Sequence, residues 1–401
     1  MLTGKRILLG VSGSIAIYKT ADWVRELKRA GAEVTVVMTA DATRFVTPLT
    51  FAALSGRRVH TGMFDPAAEE LIPHITLARE HDLILLAPAT ARTIGRLAQG
   101  LADDLLSTII LAARIPVIVC PAMNSNMYLH PATQANIRRL AEYGYQLVEP
   151  GCGPMACREE GPGRLADWPV VREAVLTALT PQDLAGRKVL VTAGPTFEPL
   201  DPVRFLGNHS SGRMGHALAR TARRRGAEVT LISGPTSLPD PPGITTIRVN
   251  TTSEMALAVF SRAEECAVVI KAAAVSDFRP ANYSPEKLKK SGATTQLELI
   301  ANPDILKTLG ERKHPQSKLP ILVGFAAESQ ASLDEGWRKL AAKNLDLLAF
   351  NDITAPGAGF GTETNIITIL DRDGGQELLP LLPKDEVADL IWNRVVKILG
   401  N

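Results

Sequence analysis

Cysteine is scarce in this chain: only Cys120, Cys152, Cys157 and Cys266 stand among 401 residues. So few scattered thiols make no disulfide framework. Cys152 and Cys157 are separated by four residues and have no histidine beside them, which argues against zinc. A reduced, cytoplasmic protein is the expectation. Long apolar runs are lacking as well. Lys5 and Arg6 lead straight into a short strand rather than a signal-peptide core. No run approaches the roughly 18 residues of a membrane span. A charge excess is also missing, since the formal net charge is +2. Neither nucleic acid nor a membrane surface is expected as a partner, although local basic clusters can still hold phosphates.

What the chain does have is apolar residues, at 45% against 21% charged, and a repeated pattern. Its length predicts two domains of about 200 residues, each with its own core. The pattern is clearest from Gly186 to Pro235. An apolar run, Val189 to Val191, suits a buried parallel strand. A loop with Ser210-Ser211-Gly212 follows, then a helical segment from Arg213 to Arg225, the helix-ending Gly226, and a strand from Val229 to Ile232. This is a βαβ unit whose first loop can turn backbone N–H groups and a helix N-terminus toward an anion. Gly4 to Ala40 has the same layout. Even the exits match: Arg29-Ala30-Gly31-Ala32-Glu33-Val34-Thr35 beside Arg225-Gly226-Ala227-Glu228-Val229-Thr230. Two Rossmann-like α/β domains are therefore predicted, 1–182 and 183–401, divided in the proline-containing stretch Thr180-Pro181-Gln182-Asp183.

In the first half, strands are predicted at Arg6–Val11, Val34–Met38, Leu83–Ala87, Pro116–Cys120 and Gln146–Val148. Helices are predicted at Ala16–Arg29 and Asn136–Tyr143. Such alternation makes a parallel sheet with helices on both faces, and ligands sit at the carboxyl ends of its strands. Those ends carry Gly13-Ser14, Thr39, Pro88-Ala89-Thr90 and Pro121-Ala122-Met123-Asn124. The first loop, GVSGSIA, is no GxGxxG fingerprint and alone reads equally as a tight turn. The other polar loops on that edge favour a ligand. In PAMNSNMY, Asn124 can donate to a carboxylate and Met123 can pack on a flat ring. The alternative there is a helix cap at Asn124 with core methionines. His74, in PHITLARE, reads as structural or catalytic. Gly151 to Asp167 is glycine-rich and reads as a mobile flap carrying Cys157, with Cys152 an equal candidate for a reactive thiol.

In the second half, strands are predicted at Lys188–Thr192, Glu228–Ile232, Thr246–Val249, Val268–Lys271, Leu322–Phe325 and Leu347–Phe350. A hairpin, Asn365–Leu370 with Glu377–Leu379, and an amphipathic helix, Lys384–Leu399, complete it. Four groups lie at strand ends. NHSSGRMG, Asn208 to Gly215, suits an anion. AAAVSDFRP places Asp277 where a carboxylate can hold a hydroxyl or a metal. KLKK, Lys287 to Lys290, and NPDI, Asn302 to Ile305, occupy loops. Lys339 and Lys343 share one helix face. KLKK alone reads as solvated surface; beside two nucleotide-type loops, a mobile lysine suits charge spread over an α-phosphate.

GSIA, HITLA, PAMNSNMY and MAC…GPGR resemble the flavin-dependent cysteine decarboxylases. With the second half included, the whole chain resembles the bacterial bifunctional phosphopantothenoylcysteine decarboxylase/phosphopantothenate–cysteine ligases. The resemblance implies a flavodoxin-like first domain with FMN, surrounded by Gly13, Ser14, Thr39, Thr90, Ser107 and Met123. It implies His74 as base, Asn124 on the substrate carboxylate, and Cys157 as a late proton donor. Oxidation of the substrate thiol to a thioaldehyde supplies the electron sink that decarboxylation needs, and the resulting enethiol is then reduced and protonated.

For the second domain, the resemblance implies coupling of 4′-phosphopantothenate to cysteine through an acyl-cytidylate. CTP would be held by Ala273, Asp277, Lys287, Pro303, Asp304, Ile305, Phe325, Lys339 and Lys343. Mg2+ would assist, with Asp277 as its candidate ligand, and Asn208 would bind the acyl-phosphate intermediate. It also implies a homo-oligomer, with a trimeric decarboxylase half and a dimeric ligase half. Three residues depart from the family pattern: Tyr128 for tryptophan, Asp103 for asparagine, and Arg158 for glycine. A nicotinamide–flavin oxidoreductase is a second reading, disfavoured by the missing GxGxxG and its acidic partner. A non-catalytic flavin-binding scaffold is a third, disfavoured by the presence of His74, Asn124, Cys157 and Lys287.

Overall fold

The computed structural model describes residues 2–64, 72–154, 160–289, 296–314, 319–328, 333–352 and 361–400. The chain divides into two compact units, Met1–Thr180 and Pro181–Asn401. No helix among the described residues is long and apolar enough to cross a membrane.

In the first unit, β1 (Arg6–Val11) and β2 (Glu33–Met38) are buried at every position after the first. Runs of this kind suit parallel strands covered on both faces. Between them, α1 (Ile17–Arg29) buries Ile17, Thr20, Trp23, Val24 and Leu27, one face at helical spacing. Helix α2 (Pro48–Ser55) leads to the two-residue β3 (Val59–His60), and α3 (Pro73–Arg79) leads to β4 (Leu83–Ala89). Next come α4 (Ala91–Ala98), α5 (Leu105–Ala112), β5 (Val117–Pro121), α6 (Ser125–Leu129), α7 (Pro131–Glu142) and β6 (Gln146–Leu147). Helix α7 begins earlier than the predicted Asn136, because His130 Nδ1 accepts the Ala132 N–H at 3.2 Å and Pro131 suits the first helical position.

The strands pair in parallel in the order β3-β2-β1-β4-β5-β6. That is the dinucleotide-fold order, and without the short β3 it is the flavodoxin order. Both reverse between β1 and β4. The glycine-rich stretch is a hairpin, β7 (Gly151–Pro154) with β8 (Glu160–Arg164), followed by α8 (Trp168–Leu179). Cys157 and Arg158 lie outside the described residues.

The second unit repeats the plan. It runs through β9 (Lys188–Ala193), a small antiparallel pair β10 (Phe197–Pro199) and β11 (Phe205–Gly207), then α9 (Arg213–Arg224) and β12 (Glu228–Ser233). Next are β13 (Thr245–Arg248), α10 (Thr252–Phe260), β14 (Val268–Lys271) and a second antiparallel pair, β15 (Phe278–Pro280) with β16 (Leu299–Ala301). Then follow α11 (Ile305–Arg312), β17 (Ile321–Glu328), α12 (Leu333–Ala342) and β18 (Leu347–Asp352). The end is β19 (Thr364–Asn365), β20 (Ile367–Asp371), β21 (Gln376–Leu378), β22 (Leu382–Pro383) and α13 (Lys384–Gly400). The order β13-β12-β9-β14-β17-β18 is the same dinucleotide-fold order, extended by antiparallel β20 and β21. Its reversal lies between β9 and β14.

Close packing of α9 on β9 needs a glycine: a Cβ on Gly215 would stand 2.5 Å from Ala193 Cβ and 2.7 Å from Thr192 O. Polar contacts fasten α13 to α9. Trp392 Nε1 donates to Leu218 O at 3.0 Å, and Asp385 accepts from Arg220 at 2.6 Å and Arg224 at 3.1 Å. Burial raises the pKa of the Asp385 carboxyl, but the two arginines outweigh it and hold it below its ordinary value. A second buried pair, Lys313 Nζ to Asp346 Oδ2 at 2.6 Å, also receives the Leu322 N–H at 2.7 Å. Lys313→Met leaves that carboxylate with Arg372 at 3.3 Å and the Leu322 N–H, and is expected to destabilise the second unit by about 1–3 kcal/mol in denaturant melts.

Candidate active sites

A cavity of about 710 Å³ opens where the first sheet reverses its strand order. Ser12, which the sequence reading passed over, ties the reversal together. Its Oγ donates to Pro88 O at 2.7 Å and accepts the Thr90 N–H at 3.0 Å, joining the ends of β1 and β4. Gly13, Ser14, Thr39, Thr90, Met123 and Asn124 all line the cavity. Thr90 caps α4, its Oγ1 accepting the Thr93 N–H at 3.3 Å.

Asn124 caps α6 through Oδ1, which accepts the Asn126 N–H at 2.8 Å. The helix-cap reading and the cavity reading of this residue thus hold together. What its side chain has to offer a carboxylate is Nδ2–H. The hairpin docks onto the same loop. Met123 N donates to Gly163 O at 2.9 Å and Ser125 Oγ to Pro162 O at 2.7 Å. Gly163 has φ +134, and a Cβ there would stand 2.4 Å from Met123 O. Only glycine permits this contact.

Two sequence-derived candidates lie elsewhere. Ser107 is buried and does not line the cavity. It completes the cap of α5, its Oγ donating to Asp104 Oδ1 at 2.7 Å while its N–H does the same. His74, near the start of α3, is also outside the lining, and its Nδ1 is buried without a hydrogen-bond partner among the described residues. Asp103, in place of an amide, finds Arg96 at 2.9 Å, and Asp104 meets the same guanidinium at 2.8 Å. Arg96 and Arg164 also line the cavity, and Arg164 Nε is buried without a partner among the described residues.

A second cavity, of about 470 Å³, lies at the reversal of the second sheet. Ala273 N donates to Thr192 Oγ1 at 3.2 Å and Ala274 N to Gly194 O at 2.9 Å, joining the ends of β9 and β14. Asn208, Ala273, Asp277, Phe325, Lys339 and Lys343 line this cavity. Asn208 Nδ2 donates to Val275 O at 2.9 Å, holding the serine-glycine loop against the end of β14.

Pro303, Asp304 and Ile305 stand behind the lining. Asn302 N donates to Asp277 O at 2.8 Å, and Asp304 Oδ2 meets Lys343 Nζ at 2.8 Å. Burial raises the Asp304 pKa, yet Lys343 and the Lys307 N–H together hold the carboxyl below its ordinary value. Lys287 is exposed and outside the lining; its neighbour Leu288 is pinned by Asp201 at 3.2 Å and Arg204 at 2.8 Å. Lys290 is outside the described residues.

Lys271, Arg213, Asn365 and Lys384 also line the cavity and were missed in the sequence. Burial, with Lys343 adding to it, brings the Lys271 ammonium down to about 8. One signal was available, since a lysine closing an otherwise apolar buried strand is unusual. No cluster of three metal-ligating side chains occurs among the described residues. Asp277 alone fits a Mg2+ that takes most of its ligands from phosphates and water.

Residues 1–180 match the Flavoprotein family, and residues 184–399 match the DNA/pantothenate metabolism flavoprotein C-terminal domain. The chain is 48% identical over 402 residues to the coenzyme A biosynthesis bifunctional protein CoaBC of Bacillus subtilis (strain 168), covering 99% of this chain and 98% of that one. It is 44% identical over 399 residues to the protein of the same name from Escherichia coli (strain K12), covering 98% and 97%. A crystal structure of the C-terminal domain of such a protein is similar at 41% identity and TM-score 0.46, over 55% of this chain and 98% of that one. Matched along both halves, this chain belongs to the family of the coenzyme A biosynthesis bifunctional proteins CoaBC.

Proposed function

We propose that residues 183–401 couple 4′-phosphopantothenate to cysteine with CTP, and that residues 1–182 decarboxylate the product, 4′-phosphopantothenoylcysteine, with FMN. The observation that carries this reading is the pairing of two cavities at two strand-order reversals. One is roomy and has the Met123–Asn124 loop in its wall; the other is lined with lysines.

The first cavity suits a flavin. Its volume lies within the roughly 300–1,000 Å³ of small-molecule sites, and Arg96 and Arg164 in its wall suit an anionic group of the ligand. When bound, FMN supplies an acceptor for two electrons from the substrate thiol and returns them after CO2 has left. The chain's own residues orient the substrate. Asn124 donates Nδ2–H to the departing carboxylate, Met123 covers a ring face, and Cys157 gives the late proton. His74 acts as base. Because it does not line the cavity of its own chain, this role needs a second copy of the chain to bring the ring in, in keeping with a homo-oligomer.

In the second cavity, a phosphopantothenate carboxylate oxygen attacks the α-phosphorus of CTP and pyrophosphate leaves. The cysteine amine then attacks the acyl carbon and CMP leaves. Lys339, Lys343 and Lys287 offset the charge that develops on phosphate, and Asp277 would hold a Mg2+ carried by the nucleotide's phosphates. A cytoplasmic location belongs to the same proposal.

The test is a flavin absorbance spectrum of the purified chain together with pyrophosphate release that requires both CTP and 4′-phosphopantothenate. A colourless protein would overturn the first assignment, and release that ignores CTP would overturn the second.

A further inference from the structure

Lys384 stands in a position that disfavours it three times over. It is the first residue of α13, where the helix dipole opposes a cation. It is only 9% exposed. Its neighbour in the cavity wall is another cation, Arg213; burial first and Arg213 second bring the ammonium down to about 8.

Even so, every ammonium proton is directed. Lys384 Nζ donates to Thr362 O at 2.6 Å, Thr364 O at 2.7 Å and Thr362 Oγ1 at 3.3 Å. Its backbone N–H donates to Glu363 O at 3.1 Å, and Thr364 and Asn365 pair with Pro383 and Leu382. Arg213, the first residue of α9, forms an ion pair with Glu363. A short strip of chain is thus clamped between two helix N-termini by two cations that repel each other.

The strip belongs to the cavity, since buried Asn365 forms part of its wall. The cavity itself is strongly basic. Arg213, Lys271, Lys339, Lys343 and Lys384 line it against the single lining carboxylate of Asp277, among the described residues. Asp304, Glu335 and Glu363 pair with Lys343, Lys339 and Arg213 from outside the lining, and the positive charge left in the wall favours a polyanion.

We propose that Lys384 is a positioning residue for the nucleotide. By docking Thr362–Asn365 onto the N-termini of α9 and α13, it sets the wall against which the polyphosphate seats. The proposal rests on the ligase reading of this cavity. The polyphosphate offsets the repulsion between Arg213 and Lys384, so docking and binding strengthen each other.

The test uses the full chain with Lys384→Met, which keeps the stem and removes the charge, and Lys384→Arg, which restores it. CTP binding is measured by titration calorimetry without phosphopantothenate. Lys384→Met is expected to weaken CTP by about tenfold or more and to raise its KM alike, with KM for cysteine unchanged. Lys384→Arg should recover to within about threefold. In wild type, CTP should slow amide exchange at 362–365, an effect absent from Lys384→Met. Decarboxylation reports that the chain is otherwise intact.

Should Lys384→Met fail to fold, Lys384→Gln takes its place with the same expectation. Wild-type binding with Lys384→Met, or Lys384→Gln, within twofold of it overturns the role of Lys384 alone. A wild type that does not bind CTP overturns the nucleotide reading and this proposal together.

Discussion

His74→Asn is expected to lower decarboxylation by about 10²–10⁴, the usual contribution of a positioned acid–base group, while CTP-dependent ligation continues unchanged. The expectation comes from an imidazole whose Nδ1, at the start of α3, is buried without a partner among the described residues. A buried ring nitrogen left without a hydrogen bond is costly unless it is wanted elsewhere. Asparagine keeps a polar side chain there and removes the titratable ring, so a merely structural histidine should tolerate the change with little loss of activity. The position of His74 outside its own chain's cavity adds a second arm. In oligomers mixed from His74→Asn and Asn124→Leu chains, some sites would join an intact His74 to an intact Asn124. Activity should reappear on mixing two inactive variants. If mixing restores nothing while both variants assemble and bind flavin, the ring does not act across chains.

Much of the fold was legible because buried parallel strands are written as unbroken apolar runs. Arg6–Val11 was read as it stands, and Leu83 and Val117 mark strands found within a few residues of their expected ends. The small antiparallel pairs were not legible. Phe197–Pro199 and Leu299–Ala301 are three residues each, too short for any period to show. The hairpin of Gly151–Pro154 and Glu160–Arg164 hid for a different reason. Its glycines signal a loop, whereas here they let a strand approach the Met123 backbone.

Site residues divided in the same way. Thr90 and Asp277, on strand-end loops, were located by counting from the strands, and each lines a cavity. Ser107 was placed by resemblance, and its hydroxyl is used up in the cap of α5. Lys384 was read only as the start of a helix, because the strip it holds is some twenty residues upstream and joins it only on folding.

Lys343→Met is expected to reduce pyrophosphate–CTP exchange by about 10²–10³, the range for removing one group that stabilises developing charge. Lys343 lines the second cavity, and its Nζ holds Asp304 at 2.8 Å beside Lys271. Removing that ammonium acts twice. A cation facing the nucleotide is lost, and a carboxylate that was neutralised is set free beside the phosphates. Both effects oppose an anion in the ground state, so CTP affinity should fall along with the rate. Asp304→Asn in the same chain removes the second effect and should recover part of the affinity but little of the rate. Lys287→Gln separates position from charge. Lys287 is exposed in a loop held at Leu288 by Asp201 and Arg204, outside the lining. If it moves in only when charge develops, its loss leaves CTP affinity near wild type and still removes most of the exchange. That split, affinity kept and rate lost, is the signature of an interaction made only in the transition state. Normal exchange in Lys287→Gln, beside a crippled Lys343→Met, would leave the work to the lysines already in the cavity wall and return Lys287 to the solvated surface of its loop.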